Sequence, residues 1–166
     1  GLPGGGANVG PKVAALVGGA IVMGLTGDDE MADILGKRLQ GSGVECRFER
    51  LAGFSTITKL RVLSRHQQLI RLDFEDGFPG YDASDLLEHF QKALAEIDVV
   101  VLSDYGKGTL RMVGKFIEIA RAAGKQVIVD PKGTDFSPYR GASVITPNLS
   151  EFEAVVGKCH DDQELV

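Results

Sequence analysis

Residues Val127 to Glu153 read VIVDPKGTDFSPYRGASVITPNLSEFE, and this stretch decides the fold. Val127-Ile128-Val129 and Val144-Ile145 are β-branched apolar runs bounded by turn residues, the pattern of buried parallel strands. Each run ends in polar residues: Asp130-Pro131-Lys132-Gly133 after the first, Thr146-Pro147-Asn148 with Glu151 after the second. In an open parallel sheet, ligands bind beyond the carboxyl ends of the strands, so these residues stand where a site belongs.

Upstream, Val99 to Leu102 reads as another buried strand and Leu110 to Ala123 as a helix ended by Gly124. With the strand at Val127 they form a β-α-β unit, whose crossover is nearly always right-handed with parallel strands. Leu86 to Leu94 is expected to be helical, and a last helix runs from about Ser150 toward Val156. Near the start, Asn8 is placed to cap a helix over Val9 to Val17, with Pro11 tolerated in its first turn and Gly18-Gly19 ending it. Ile21 to Leu25 is a short strand. Thr26-Gly27-Asp28-Asp29-Glu30 then opens a helix whose expected apolar face is Met31, Ile34, Leu35 and Leu39, closed by Gly41 and Gly43.

From Val44 to Phe74 the period changes to that of β structure, with runs at Val44–Arg50, Thr56–Leu63 and Gln68–Phe74. In TITKLRVL, Ile57, Lys59, Arg61 and Leu63 share one face, while Thr58, Leu60 and Val62 share the other. An antiparallel flap with one charged and one apolar face is expected.

A chain of 166 residues with 43% hydrophobic content can bury one good core, so a single domain, or part of a larger one, is the default. Its net charge of −5 and the lack of a Lys/Arg run argue against a nucleic-acid partner, although a local basic cluster can still hold a small anion. Cys46 and Cys159 lack metal-ligand spacing and suit a reducing cytoplasm better than a disulfide framework. Cys159-His160-Asp161 reads as a polar helix end rather than a metal cluster. No apolar run reaches the roughly 20 residues that span a bilayer, and no signal peptide is evident, so a soluble cytoplasmic protein without a membrane partner is expected. The first residue is Gly1, and Gly-Leu-Pro-Gly-Gly-Gly reads as a loop; truncation at both ends is expected.

Each polar segment has an ordinary reading beside a chemical one. Asn148-Leu149-Ser150-Glu151 is a capping box, or a helix N-terminus where Asn148 meets a nucleotide phosphate and Glu151 holds Mg²⁺ through water. Asp130-Pro131-Lys132 is a turn, or a place where Lys132 meets a phosphoryl group and Asp130 orients it or a metal ligand. Ser103-Asp104-Tyr105-Gly106-Lys107-Gly108 is a tight βα turn, or a segment where Asp104 accepts sugar hydroxyls and Lys107 pairs with phosphate. Gly4-Gly5-Gly6-Ala7-Asn8 is a flexible turn, or a glycine surface for close approach of a sugar. Lys59, Arg61, Arg65 and Arg71 form a solvated face, or a cationic flap over a phosphorylated sugar. His66 near the flap tip reads as exposed and inert. Three strand ends with phosphate-compatible residues favour the chemical reading jointly.

In the order GGGAN, GLTGDDE, a β-lid, LSDYGKG, VDPKGTDF and TPNLSEFEAVVG, the chain resembles the ribokinase-like (PfkB) carbohydrate kinases. More narrowly, TITKLRVLSRHQQLIRLDFE and DPKGTDFSPYRGASVITPNLSEFEAVVGKC resemble the kinase domains of the bifunctional heptose-7-phosphate kinase/heptose-1-phosphate adenylyltransferases. The resemblance implies an α/β fold, a mostly parallel central sheet flanked by helices with a small antiparallel lid at about residues 44–74. It implies phosphoryl transfer from Mg·ATP to the anomeric hydroxyl of D-glycero-β-D-manno-heptose 7-phosphate, in the route to lipopolysaccharide inner-core heptose. Gly5, Gly6 and Asn8 match the segment contacting the sugar, Asp104 the acidic position near its hydroxyls, and Asn148 and Glu151 the Asn-x-x-Glu motif near nucleotide phosphates and Mg²⁺. Lys59, Arg61, Arg71 and Lys107 are assigned to the 7-phosphate from charge and placement, and Lys132 to the nucleotide. A homodimer through the lid is a family-level expectation.

Two features depart from the family pattern. The strand with a sugar-binding acid that opens family members would precede Gly1, and their Gly-Ala-Gly-Asp segment, with the general base and anion hole, is not in the sequence. On this reading residues 1–166 are a partial kinase domain lacking the C-terminal ATP-binding half, inactive by itself. Gly10-Pro11-Lys12 also replaces an apolar helix start. Competing readings are another PfkB-type kinase acting on a hexose or nucleoside, and a non-catalytic sugar-phosphate-binding or dimerisation module.

Overall fold

The computed structural model describes residues 19–64 and 67–158, which fall into two compact units. The sugar-contact candidates Gly5, Gly6 and Asn8, the helix expected over Val9–Val17, Arg65, His66 and the Cys159-His160-Asp161 segment lie outside the described residues.

The first unit comprises the described residues up to Leu86 together with Lys107–Thr109. β1 (Ala20–Gly27) leads through α1 (Glu30–Gln40) to β2 (Val44–Leu51). The two strands pair in parallel from Ala20 opposite Val44 to Gly27 opposite Leu51. This corrects the expected lid boundary: Val44–Arg50 belongs to a parallel β-α-β unit. A helical crossover returns the chain in the same direction, so the second strand lies parallel to the first.

α1 begins where its sequence says it should. Asp29 is extended and caps the helix, its Oδ1 accepting from Ala32 N at 3.0 Å. The same carboxylate accepts from Thr56 Oγ1 and Thr56 N, both at 2.7 Å, and Thr56 Oγ1 accepts from Gly27 N at 3.0 Å. Burial works to raise the Asp29 pKa, but these bonds from Thr56 and the first helical turn outweigh it and hold the carboxyl below its ordinary value. One side chain thus joins the end of β1, the start of α1 and the loop before the lid.

The inward face of α1 is Ala32, Leu35, Gly36 and Leu39, the i, i+3, i+4, i+7 set, with Leu35 and Gly36 half-buried. Ala32 and Leu39 are fully buried, whereas Met31 and Ile34, expected on that face, are 39% and 41% exposed. The cap at Asp29 sets the phase, and Gly36 faces β2, where a Cβ would make ordinary contact with the Phe48 ring at 3.9 Å.

The lid is the antiparallel hairpin β3 (Thr58–Ser64) and β4 (Gln67–Phe74). Its register places Thr58 opposite Phe74, Leu60 opposite Leu72 and Val62 opposite Ile70 on one face, with Lys59 opposite Asp73 and Arg61 opposite Arg71 on the other. The expected division into apolar and charged faces holds up to Val62. There the register shifts, so that Leu63 meets Gln68 and Leu69 is the extra residue, a bulge that breaks the alternation expected at Leu63.

The second unit contains residues from Leu87 to Gly106 and from Leu110 onward. α2 (Ser84–Ala93) runs across the division and ends in a 3₁₀ turn at Leu94–Glu96. β5 (Val99–Ser103), α3 (Val113–Ala122), β6 (Gln126–Asp130) and β7 (Val144–Ile145) follow, with α4 (Leu149–Val156) last. β5, β6 and β7 are parallel in that order, giving the expected β-α-β unit. α3 starts three residues later than expected, because Gly106 and Gly108 hold positive φ and Leu110 is used in a turn that accepts from Val113 N.

The sheet is buried on one face. Val100, Leu102, Val127 and Val129 pack with Val113, Phe116, Ile117 and Ala120 of α3, and Phe90 of α2 meets Phe116 edge-on at 5.0 Å. Val99 and Val101, and both residues of β7, are exposed among the described residues, so the expectation of buried strands is corrected for β7 and holds for β5 only at Val100 and Leu102. Strand alternation sends Val99 and Val101 to the face away from α3, and among the described residues β7 has a single strand neighbour, β6.

Candidate functional site

In the second unit, the carboxyl ends of β5 and β6 are tied together by polar groups. Beyond the pairing of Ser103 with Asp130, Asp104 N donates to Asp130 O at 2.9 Å and Ser103 Oγ donates to Asp130 Oδ2 at 3.1 Å. The half-buried Asp104 carboxylate is fixed at both oxygens. Oδ1 accepts from Gly106 N and Oδ2 from the Tyr139 hydroxyl, each at 2.8 Å. Lys132 N in turn donates to Tyr139 Oη at 3.1 Å. Tyr139 is 5% exposed, and burial raises its pKa, as does the neighbouring Asp104 carboxylate. The hydroxyl therefore stays protonated and acts as a donor to Asp104. Asp104 presents a carboxylate of one orientation, with lone pairs left for hydroxyl donors.

Lys132 contributes its backbone to this network and leaves its side chain exposed. Farther along the chain, α4 begins with a complete capping box: Glu151 N donates to Asn148 Oδ1 at 3.0 Å, and Asn148 N donates to Glu151 Oε2 at 3.1 Å. The bland reading of this motif is therefore realised in the structure. Among the described residues no group of three or more His, Cys, Asp or Glu is placed to hold a metal ion. Mg²⁺ commonly uses one or two carboxylates plus waters and substrate phosphates, and a single Glu151 acting through water fits that donor set.

The cationic candidates lie in the first unit. Lys59 Nζ is 2.6 Å from Glu75 Oε1 and Lys107 Nζ is 2.8 Å from Glu75 Oε2, so one carboxylate joins a lid strand to the turn after β5. Hydrogen bonding from Lys107 and then Lys59 pulls the Glu75 pKa down to about 2. Arg61 and Arg71 occupy directly opposite register positions in the hairpin.

Sequence reasoning missed Tyr139 and Glu75. Tyr139 sits in a Ser-Pro-Tyr 3₁₀ turn whose residue types advertise only a turn. For Glu75 a signal existed: it is the acid directly after β4, and Lys59 lies near the start of β3, which pairs antiparallel with β4.

With the geometry in place, comparison with known proteins adds a family. The model describing pfkB family carbohydrate kinases matches residues 2–166. The chain belongs to the pfkB family of carbohydrate kinases. Among its relatives in this family are the proteins named bifunctional protein HldE of Alkalilimnicola ehrlichii, 60% identical over 164 residues, and of Halorhodospira halophila, 60% identical over 163. These alignments take in 99% and 98% of this chain but 34% of each relative, so the chain spans about a third of their length. Among solved structures, the Arabidopsis thaliana ribokinase complexed with ribose and ATP superposes with a TM-score of 0.75 at 19% identity, covering 98% of this chain and 54% of that one. The pfkB fold is thus ribokinase-like, with parallel sheets flanked by helices and a small antiparallel sheet.

Proposed function

We propose that this chain is part of a kinase that transfers the γ-phosphoryl group of Mg·ATP to the anomeric hydroxyl of D-glycero-β-D-manno-heptose 7-phosphate, toward ADP-heptose for lipopolysaccharide. The observation that supports this most is 60% identity, over nearly the whole chain, to a bifunctional protein HldE within a carbohydrate kinase family. In the transfer, the hydroxyl oxygen bonds to phosphorus and loses its proton to a base as the bond to the ADP oxygen breaks; ATP supplies the phosphoryl group, and Mg²⁺, when bound, would supply counter-charge. Asp104 accepts from sugar hydroxyls and fixes the acceptor. Gly5, Gly6 and Asn8 are assigned to sugar contact, Lys59, Arg61, Arg71 and Lys107 to the 7-phosphate, and Lys132, Asn148 and Glu151 to the nucleotide and its metal. Among the described residues no helix is long and apolar enough to cross a membrane, and the free thiol of Cys46 suits a reducing cytoplasm.

The test is an acceptor panel with the protein expressed from the full reading frame containing this sequence. Heptose 7-phosphate is expected to be consumed with matching ADP release, well ahead of fructose, ribose or adenosine. Turnover of fructose without turnover of the heptose phosphate would reject the assignment in favour of another pfkB activity.

The lid suits a homodimer. Leu72 and Phe74 of β4 are 45% and 53% exposed on the hairpin's apolar face, and a two-stranded sheet leaves strand edges open. Light scattering of the same protein is expected to give twice the protomer mass, shifting toward one protomer in a Leu72→Glu/Phe74→Glu variant; a wild-type monomer would sink the idea.

A further inference from the structure

The Lys59–Glu75–Lys107 cluster is built like an occupied anion site. Two ammonium groups from separate segments converge on the two oxygens of one carboxylate, as they would on two oxygens of a phosphate. Nothing in a lid requires this convergence. Lys59 lies on β3 and Lys107 in the turn after β5, whereas Glu75 follows β4. The three side chains are 39%, 34% and 22% exposed, although Glu75 Oε1 itself is covered, so the pairs are partly screened by water and each is modest in strength. A ligand carrying two negative charges on oxygens can outcompete a single carboxylate there.

We propose that Glu75 is an exchangeable counter-ion: its carboxylate holds Lys59 and Lys107 together until the phosphate of a phosphorylated acceptor takes its place. Glu75 then swings toward solvent while both lysines transfer their hydrogen bonds to phosphate oxygens. The device keeps a cationic subsite organised and neutralised when empty, and it makes an unphosphorylated sugar a poor ligand because such a sugar cannot release the carboxylate. This deepens the sugar-phosphate kinase reading and rests on it for the identity of the acceptor, but the exchange itself needs no turnover.

The experiment is lysine acetylation footprinting, by mass spectrometry, of the protein from the full reading frame, with inorganic phosphate as the probe. Phosphate is expected to protect Lys59 and Lys107 together. In Glu75→Gln, half-protection should require at least about threefold less phosphate, because a competing state has been removed. Glu75→Asp retains the charge and should stay near wild type. If Glu75→Gln needs equal or more phosphate, if Glu75→Asp shifts as far as Glu75→Gln, or if phosphate protects neither lysine, the exchange is wrong. A phosphate footprint with no heptose 7-phosphate turnover would instead reject the assigned acceptor and leave the exchange standing. Normal turnover with no footprint would do the reverse.

Discussion

Asp104→Asn, made in the protein from the full reading frame, should lower kcat/KM for the acceptor by about 10- to 100-fold, the worth of a charge-assisted hydrogen bond to a substrate hydroxyl. The substitution is nearly isosteric, and asparagine retains an oxygen that can accept from Gly106 N or from Tyr139, so the fold should be little affected. What it removes is charge, together with one of the acceptor positions left open to the sugar. The loss should fall on the acceptor, with KM for ATP nearly unchanged. Tyr139→Phe separates touching from positioning. Its hydroxyl is buried and fastened to Asp104 at 2.8 Å, so removing it frees the carboxylate to rotate without deleting it, and a smaller acceptor-specific loss is expected. Steady-state kinetics with each substrate varied in turn checks both. If Asp104→Asn left the acceptor kinetics unchanged, Asp104 would be only the turn former that its bond from Gly106 also allows.

Gly27→Ala should destabilise the first unit by about 3 kcal/mol, the upper end of ordinary overpacking. A Cβ there would run into the Phe54 carbonyl oxygen and lie 2.8 Å from both Asp29 Oδ2 and Thr56 N. Two of these atoms are backbone and the third is a fixed helix cap, so relief requires moving the chain. The Gly27 N–H bond to Thr56 Oγ1 and the Asp29 bonds to Thr56 would be disturbed together. Chemical denaturation should show a lower midpoint for Gly27→Ala than for the control Gly19→Ala, where a Cβ would meet nothing within 4 Å. Equal midpoints for the two variants would show that the junction yields without strain.

Much of this arrangement was legible in the sequence because local chemistry and tertiary structure agree. Asn148 looks like a helix cap and is one, and the run Thr26 to Glu30 opens a helix as its residues suggest, with Asp29 as the cap. The alternation of Thr58 to Val62 gives the two faces of the hairpin, and the glycines at 106, 108 and 124 stand where the backbone takes positive φ. Other features depend on partners that a local pattern cannot name. Val44–Leu51 alternates enough to suit either an antiparallel flap or a half-buried parallel strand, and only its pairing with β1 decides. Met31 and Ile34 are apolar like Leu39, yet the helix buries Ala32 and Leu39, because the cap at Asp29 fixes which residues turn inward. Within the candidate site, Asp104 could be selected for its place at a strand end. Tyr139 could not, since its role arises from a contact across 35 residues.

At the start of α4 each side chain divides its labour. Asn148 spends its carbonyl oxygen on the helix and keeps its amide nitrogen, while Glu151 commits Oε2 and keeps Oε1. A phosphate seeking a donor and a hydrated cation seeking a carboxylate oxygen would therefore meet the uncommitted halves. Holding the helix and holding a ligand, which the bare motif sets up as alternatives, can be performed at the same moment by the same two residues, already oriented before anything arrives.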